Sequence, residues 1–410
     1  MNDPAAKRGR AGGAVCTACP LLCADIDLPA AALACLPGRQ AMLAPVPALP
    51  PSHDGRALAP TAALDAAATL LTTARRVLVT GLGEATLGAL AAAGDIAEFL
   101  GAAVDPGDPA VALASGPTIA RSGEVTAAFE ELRDRADVVV VWFADPATSH
   151  PRFFERFLPP RARVIQVGPA ATIAPGESIA IPPADEVTAL RWLTAQARGV
   201  VFPLPAGDLA TAVARVGGAV AAATCLGIVT VERPAGSGVA EWALAEWVRA
   251  EAHRRPAFAI PLAGGVGTAS GNAAGVAAVS TWRYGGPGAI ARADRSGGTF
   301  RPAEADALRL ITRREVDAVL VVGRPRPTVA AALRAADARL ACVEVGPERT
   351  CSRGIHLPTA APLDDPGDWL RGDGRLVHVP GRYPAAADQR LENVLRSLTA
   401  ALAQGPKARR

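Results

Sequence analysis

The chain has 410 residues, half of them apolar but only 4% aromatic, so it is long enough for two or three domains whose cores are built from small and β-branched side chains. Its 42 basic and 39 acidic residues leave a net charge of +3, which excludes the basic footprint of a nucleic-acid binder and a polybasic membrane patch. The 40 glycines and 36 prolines follow no collagen-like period.

Residues 1–13 read as a disordered terminus. Lys7, Arg8 and Arg10 are not followed by an apolar run, so no secretory signal is expected and a cytoplasmic setting is. Lys407, Arg409 and Arg410 read as a frayed tail. Residues 14–60 form a cysteine-bearing segment and a linker. Cys16, Cys19 and Cys23 stand in C-T-A-C-P-L-L-C, with Cys35 twelve residues on. This spacing gathers soft thiolates around a tight loop, which suits iron–sulfur or zinc ligation. Seven cysteines, four of them close together, fit metal ligation or reduced thiols better than a disulfide framework. Three outcomes stand open: a 4Fe–4S cluster with Cys35 as fourth ligand, zinc, or thiols packed as small hydrophobes. Proline-rich Ala44 to Ala59 reads as the linker.

Thr61 to Thr73 reads as a helix, Arg76 to Thr80 as a strand, Leu87 to Leu100 as a helix and Ala102 to Val104 as a strand, a βαβ opening. The turn Gly81-Leu82-Gly83-Glu84-Ala85-Thr86 has Thr86 where a dinucleotide fingerprint needs its third glycine. A plain strand-to-helix turn is therefore favoured over a nucleotide site, and Asp105 is the one candidate for a ribose-binding acid. Asp105 to Thr118 reads as a loop and Glu124 to Arg135 as a helix.

Val138 to Val141, followed by Trp142 and Phe143, read as a strand buried on both faces. The run breaks at once into Asp145, Pro146, Ser149, His150, Pro151 and Arg152, where an open α/β sheet keeps its chemistry. His150 has no partner acid or metal in the pattern and reads as polar support rather than a proton relay. Arg152 reads as pairing with a carboxylate such as Asp145, or as facing another subunit.

Further strands are expected at Arg163 to Val167, Ser178 to Ile181, Gly227 to Glu232, Ala257 to Leu262, Asp317 to Gly323 and Leu340 to Val345. Helices are expected at Glu186 to Gln196, Leu209 to Val216, Ser237 to His253, Thr328 to Ala336 and Asp388 to Ala403. Pro256 to Trp282 carries no charge over 27 residues, but its two prolines and five glycines read as a strand, a glycine loop and a small-residue helix rather than a membrane span. The alternation predicts an α/β protein with two doubly wound parallel-sheet units, 61–215 and 216–360, and a C-terminal segment and helix over 361–410.

The segment C-T-A-C-P-L-L-C-A-D-I, the loop L-A-S-G-P-T and the stretch E-L-R-D-R-A-D-V-V-V-V-W-F-A-D-P-A-T-S-H-P-R resemble the B subunit of formylmethanofuran dehydrogenase. G-N-A-A-G-V-A-A-V-S-T-W-R-Y-G-G-P, Thr299 to Asp306 and E-V-D-A-V-L-V-V-G extend the likeness over about residues 14–360. The resemblance implies the molybdopterin-oxidoreductase fold, an N-terminal 4Fe–4S loop, and a molybdenum or tungsten pterin that works on a formyl unit carried by methanofuran.

It also implies a cysteine or selenocysteine metal ligand two residues before Gly116-Pro117. Here that position is Ala114, whose methyl group has nothing to donate, and its neighbour Ser115 is a hard, weak donor. Pro366 to Arg371 stands where a more regular glycine-rich, arginine-bearing cofactor segment is expected, and Cys225, Cys342 and Cys351 lie outside the ligand loop. The molybdenum or tungsten pterin is therefore expected to be absent. In that respect the chain is most similar to the B subunit of the bacterial formyltransferase/hydrolase complex. That likeness implies a non-redox structural role beside an amidohydrolase-like subunit and a formyltransferase subunit. In that complex a formyl group passes from tetrahydromethanopterin to a methanofuran-like carrier and leaves as formate. No catalytic residue is assigned on this reading; Ser115, Gly116, Asp145, His150 and Arg152 line a vestigial cleft. The alternatives are an active molybdenum or tungsten formylmethanofuran dehydrogenase subunit and a nucleotide-binding α/β enzyme.

Overall fold

A computed structural model describes residues 14–26, 35–43, 49–107, 116–123, 125–169, 176–203, 206–231, 238–294, 298–302, 304–336, 339–383 and 385–404. The strands in chain order are β1 (Ser52–His53), β2 (Arg56–Ala57), β3 (Val77–Gly81), β4 (Ala103–Val104), β5 (Val138–Trp142), β6 (Arg163–Gly168) and β7 (Glu177–Ala180). They continue as β8 (Leu226–Val231), β9 (Ala257–Leu262), β10 (Ala318–Val322), β11 (Ala341–Gly346), β12 (Ile355–Pro358), β13 (Gly367–Leu370) and β14 (Leu376–Val379).

Two parallel-rich sheets carry the α/β fold, in the orders β2-β1-β12-β11-β10-β3-β4 and β7-β6-β5-β8-β9. The sheets do not divide near residue 215. The chain leaves the first sheet after Val104, builds the second between Val138 and Leu262, and returns to the first at Ala318. Alternating strands and helices announce parallel pairing, but short apolar runs of equal character do not say which are neighbours.

β5 lies at the centre of the second sheet and is buried along its whole length. Val138, Val140 and Trp142 face one core layer, Val139 and Val141 the other. The Trp142 ring sits 5.4 Å from that of Trp247, and its indole N–H donates to Glu186 Oε1 at 2.9 Å. That bond satisfies a polar group that is costly to bury alone.

In the first sheet the path turns at β3 and β10, which pair in parallel register from Val77↔Ala318 to Gly81↔Val322. From β3 the chain steps outward to β4; from β10 it steps the other way, through β11 to β12. Right-handed crossovers in opposite directions send the helices Leu87–Leu100 and Pro327–Ala335 to opposite faces of the sheet, the first packing with Val79 and Leu320, the second with Leu78 and Val319. Such a reversal opens a crevice beyond the carboxyl ends of the two strands.

Several elements differ from expectation. The region read as a linker contains the β1–β2 hairpin, which adds antiparallel to β12. Its turn residues Asp54 and Gly55 both have positive φ, 49° and 81°, the twist that an Asp-Gly hairpin turn needs. The helix expected from Glu124 starts only at Phe129. Thr126 instead bridges Ala259 beside β9, because a Val-Thr pair favours extended backbone at an open edge. β13 and β14 form a hairpin in the C-terminal segment. Pro256 to Trp282 divides into β9, a glycine loop and the helix Ala273–Tyr284, and among the described residues no helix is long and apolar enough to cross a membrane.

Candidate functional site

The polar loop after β5 is held by its own side chains. Asp145 caps the short helix Pro146–Ser149, accepting from Thr148 N–H at 3.3 Å and from Thr148 Oγ1–H at 2.5 Å. It makes no pair with Arg152. Arg152 instead forks onto Asp25, at 2.7 and 3.1 Å, and onto Glu155, at 2.6 and 3.1 Å. Asp25 follows the cysteine motif, so this arginine ties the loop to the N-terminal segment. His150 is 1% exposed, with Nδ1 3.0 Å from Ser149 Oγ and a further bond to the Ala263 backbone. Burial lowers its pKa to about 4, so the ring is neutral at pH 7, with a hydroxyl and a backbone group as its partners.

The cysteine motif closes into a tight loop by a Cys16 N–H to Cys23 carbonyl bond of 2.9 Å and an Ala14↔Ile26 bridge. Cys16, Cys19 and Cys23 pack with Phe129, Phe153 and Phe157. Cys35 precedes the helix Leu36–Leu43, and its sulfur accepts from Gly38 N–H at 3.4 Å. All four line one cavity with Arg152, but that cavity holds only about 10 Å³, room for about one water molecule. Burial pushes the Cys16 thiol up to about 11 and raises Cys19 and Cys23 as well. Among the described residues no group of three or more His, Cys, Asp or Glu side chains is arranged to hold a metal ion.

Ala114 and Ser115 lie outside the described residues; Gly116 opens the helix Gly116–Ser122. The arginine of the late segment is fully committed. Arg371 donates to Glu130 Oε1 at 2.7 Å and to Asp373 Oδ1 at 2.7 Å, and its guanidinium lies 5.0 Å from the Phe129 ring. The bonds from Arg371 hold Glu130 down at about 2. This clamp joins the β13–β14 hairpin to the second sheet's layer.

The glycines after β3 serve packing. Gly81 has φ +86°, and a Cβ there would strike the Val322 carbonyl. A Cβ on Gly83 would strike the Ala269 carbonyl. Asn272, fully buried, takes Gly83's carbonyl with its N–H at 2.8 Å, reaches Ala85 O with Nδ2 at 2.6 Å and accepts from Leu370 N–H at 2.9 Å. Asp105 is likewise spent, accepting from Gly107, Ala289 and Ala307 N–H groups at 2.7 to 2.9 Å. Burial raises its pKa to about 7 against those three bonds.

One open region lies beyond the carboxyl ends of β3 and β10. A cavity of about 340 Å³ there is lined by Glu84, Arg324 and Glu348, by Val266 and Leu363, and by Thr17 of the cysteine loop. Glu84 sits in the turn singled out for its glycines, yet nothing in the local sequence marks its carboxylate as buried. Only the packing of distant loops over the turn makes it so.

These features define a doubly wound α/β protein whose cysteine loop and C-terminal hairpin lock onto its two sheets. No family model and no curated protein matches the sequence. Among solved structures, the chain is similar to a chain in the crystal structure of the formyltransferase/hydrolase complex FhcABCD from Methylorubrum extorquens in complex with methylofuran. The TM-score is 0.69 at 22% identity, covering 86% of this chain and 99% of that one. The likeness is one of fold.

Proposed function

We propose that this chain is a non-redox structural subunit of a formyltransferase/hydrolase complex. In this reading the complex moves a formyl group from tetrahydromethanopterin to a methanofuran-like carrier and releases formate, and the transfer and hydrolysis belong to its formyltransferase and amidohydrolase-like subunits. The observation that carries the proposal is the fold likeness over 99% of a chain from such a complex. Two features support the non-redox part. Position 114 is alanine where the resembling dehydrogenases have a thiolate or selenolate, and Arg371 and His150 are spent on protein partners. The polar groups that served a cofactor in a molybdopterin-type ancestor then serve as internal ties.

Anaerobic purification of the chain with its natural partners, with iron, molybdenum and tungsten measured together, tests this. The expected result is co-purification with a formyltransferase and an amidohydrolase-like protein and less than about 0.1 molybdenum or tungsten per chain, since a working pterin centre binds its metal in stoichiometric amount. Stoichiometric molybdenum or tungsten would overturn it in favour of a working dehydrogenase subunit. Iron alone leaves the non-redox reading in place and assigns a cluster to Cys16, Cys19, Cys23 and Cys35.

A further inference from the structure

We propose that the crevice at the carboxyl ends of β3 and β10 binds a small organic ammonium ion with a compact apolar body, its charged nitrogen on Glu84. Three observations converge on this. The first is position: the crevice lies where the strand order reverses, the place at which open α/β sheets accept ligands, and it is about 340 Å³ in volume.

The second is an unsatisfied group. The Glu84 side chain is only 10% exposed, and its carboxylate makes no hydrogen bond among the described residues. Its nearest cation, Arg324 Nη1, stands 3.7 Å away, outside hydrogen-bonding range, while Arg324 Nη2 is held by Glu348 at 3.1 Å. A buried carboxylate in this state is costly, and burial raises its pKa accordingly. A donor that arrives with a positive charge relieves the cost most, a neutral donor relieves only part of it, and an anion adds to it.

The third is the character of the wall. Val266, Ala269, Pro347, Pro362 and Leu363 give the cavity an apolar side next to Glu84. Arg382 is forked onto Asp364, so among the described lining residues Glu84 and Glu348 outnumber the one remaining cation, Arg324. The field therefore favours a cation.

The site belongs to this chain's own residues and its test does not need the complex. Full-length protein is titrated at pH 7 by calorimetry with benzylamine, benzyl alcohol and benzoate, which share one apolar ring and differ in charge. Benzylamine is expected to bind at a single site, and Glu84→Gln to weaken it by roughly tenfold or more, the loss of one charge-assisted bond. Glu348→Gln is expected to change it by less than about threefold, as for an exposed charge. Equal binding of benzyl alcohol would overturn the proposal by showing an apolar pocket only. Preference for benzoate would overturn it by showing an anion site on Arg324, and so would the absence of benzylamine binding at about 20 mM, well above the millimolar range of a weak specific site. Should Glu84→Gln fail to fold, the ranking of the three probes on the unmodified protein decides alone.

Discussion

Two loops follow buried parallel strands at corresponding places in the two sheets, and they have met opposite ends. Beyond β5, Asp145, His150 and Arg152 have each found partners within the chain. Beyond β3 and β10, Glu84 and Arg324 face a cavity with their bonds incomplete. The loop after β5 carries the residue types that a sequence presents as catalytic; the one after β3 reads as a plain turn. Polar residues past a strand end mark a site only when the protein leaves them unsatisfied, and that is decided by what packs on them from elsewhere in the chain.

The largest effect is expected from breaking a tie that seals the β5 region. Arg371→Ala takes the guanidinium away from the Phe129 and Phe157 rings and leaves Glu130 with Arg375 alone and Asp373 with the Phe129 N–H, and removing one partner of a mostly buried ion pair costs about 3–5 kcal/mol, the retained bonds placing this one at the low end. Denaturant unfolding measures it. Arg371→Lys should recover only part of the loss, because an ammonium cannot fork onto two carboxylates. A cost below about 1 kcal/mol would mean the clamp is an exposed, screened pair and not a lock between the layers.

His150 gives the next effect and a pH signature. Its folded pKa, about 4, lies below the ordinary 6.5, so between those values the unfolded chain binds the proton first. Stability is therefore full above about pH 6.5 and falls as pH drops toward 4, by about 3 kcal/mol in all. Asp105 slopes the other way: its folded pKa of about 7 stands above 3.8, so its contribution is full at low pH and is lost as pH rises through 7. His150→Gln should remove the acid-side loss, and Asp105→Asn the loss on the neutral side. Unfolding curves at pH 4, 5.5 and 7 on the two variants separate them. A wild-type profile unchanged by His150→Gln would mean that His150 is not buried neutral.

How much of this is legible in the sequence follows from the same contrast. The organising strand is plain, because four β-branched residues before Trp142 have no other stable use. The helix Leu87–Leu100 and the β10 and β11 strands are plain for the same local reasons. Sheet membership is not, since β3 and β10 are 241 positions apart at Val77 and Ala318 and nothing local pairs them. The Asp54-Gly55 turn is a hairpin signal hidden inside a proline-rich stretch that reads as linker. Arg152 is recognisable as a pairing residue, but Asp25 as its partner depends on the cysteine loop folding back over the second sheet. Asn272 and Glu84 carry no motif at all; their roles come from burial by segments far along the chain.

The smallest effect is the most telling for the crevice beyond β3 and β10. Glu84 has no hydrogen-bond partner among the described residues, and replacing it by glutamine removes the buried ionisable group while keeping its shape. Glu84→Gln is therefore expected to stabilise the free chain, by about 1 kcal/mol, the scale of relieving one uncompensated polar group. The sign of its pH dependence follows from the raised folded pKa: the gain grows as pH rises above the ordinary 4.5 and disappears well below it, where Glu84 is neutral in both states. Saturating benzylamine should reverse the order, since it stabilises the native state of the parent and not of the variant. A residue whose removal strengthens the fold and weakens the complex with a cation is one kept for binding. If Glu84→Gln is instead destabilising without ligand, then Arg324 at 3.7 Å already satisfies the carboxylate, and the two loops differ in shape alone.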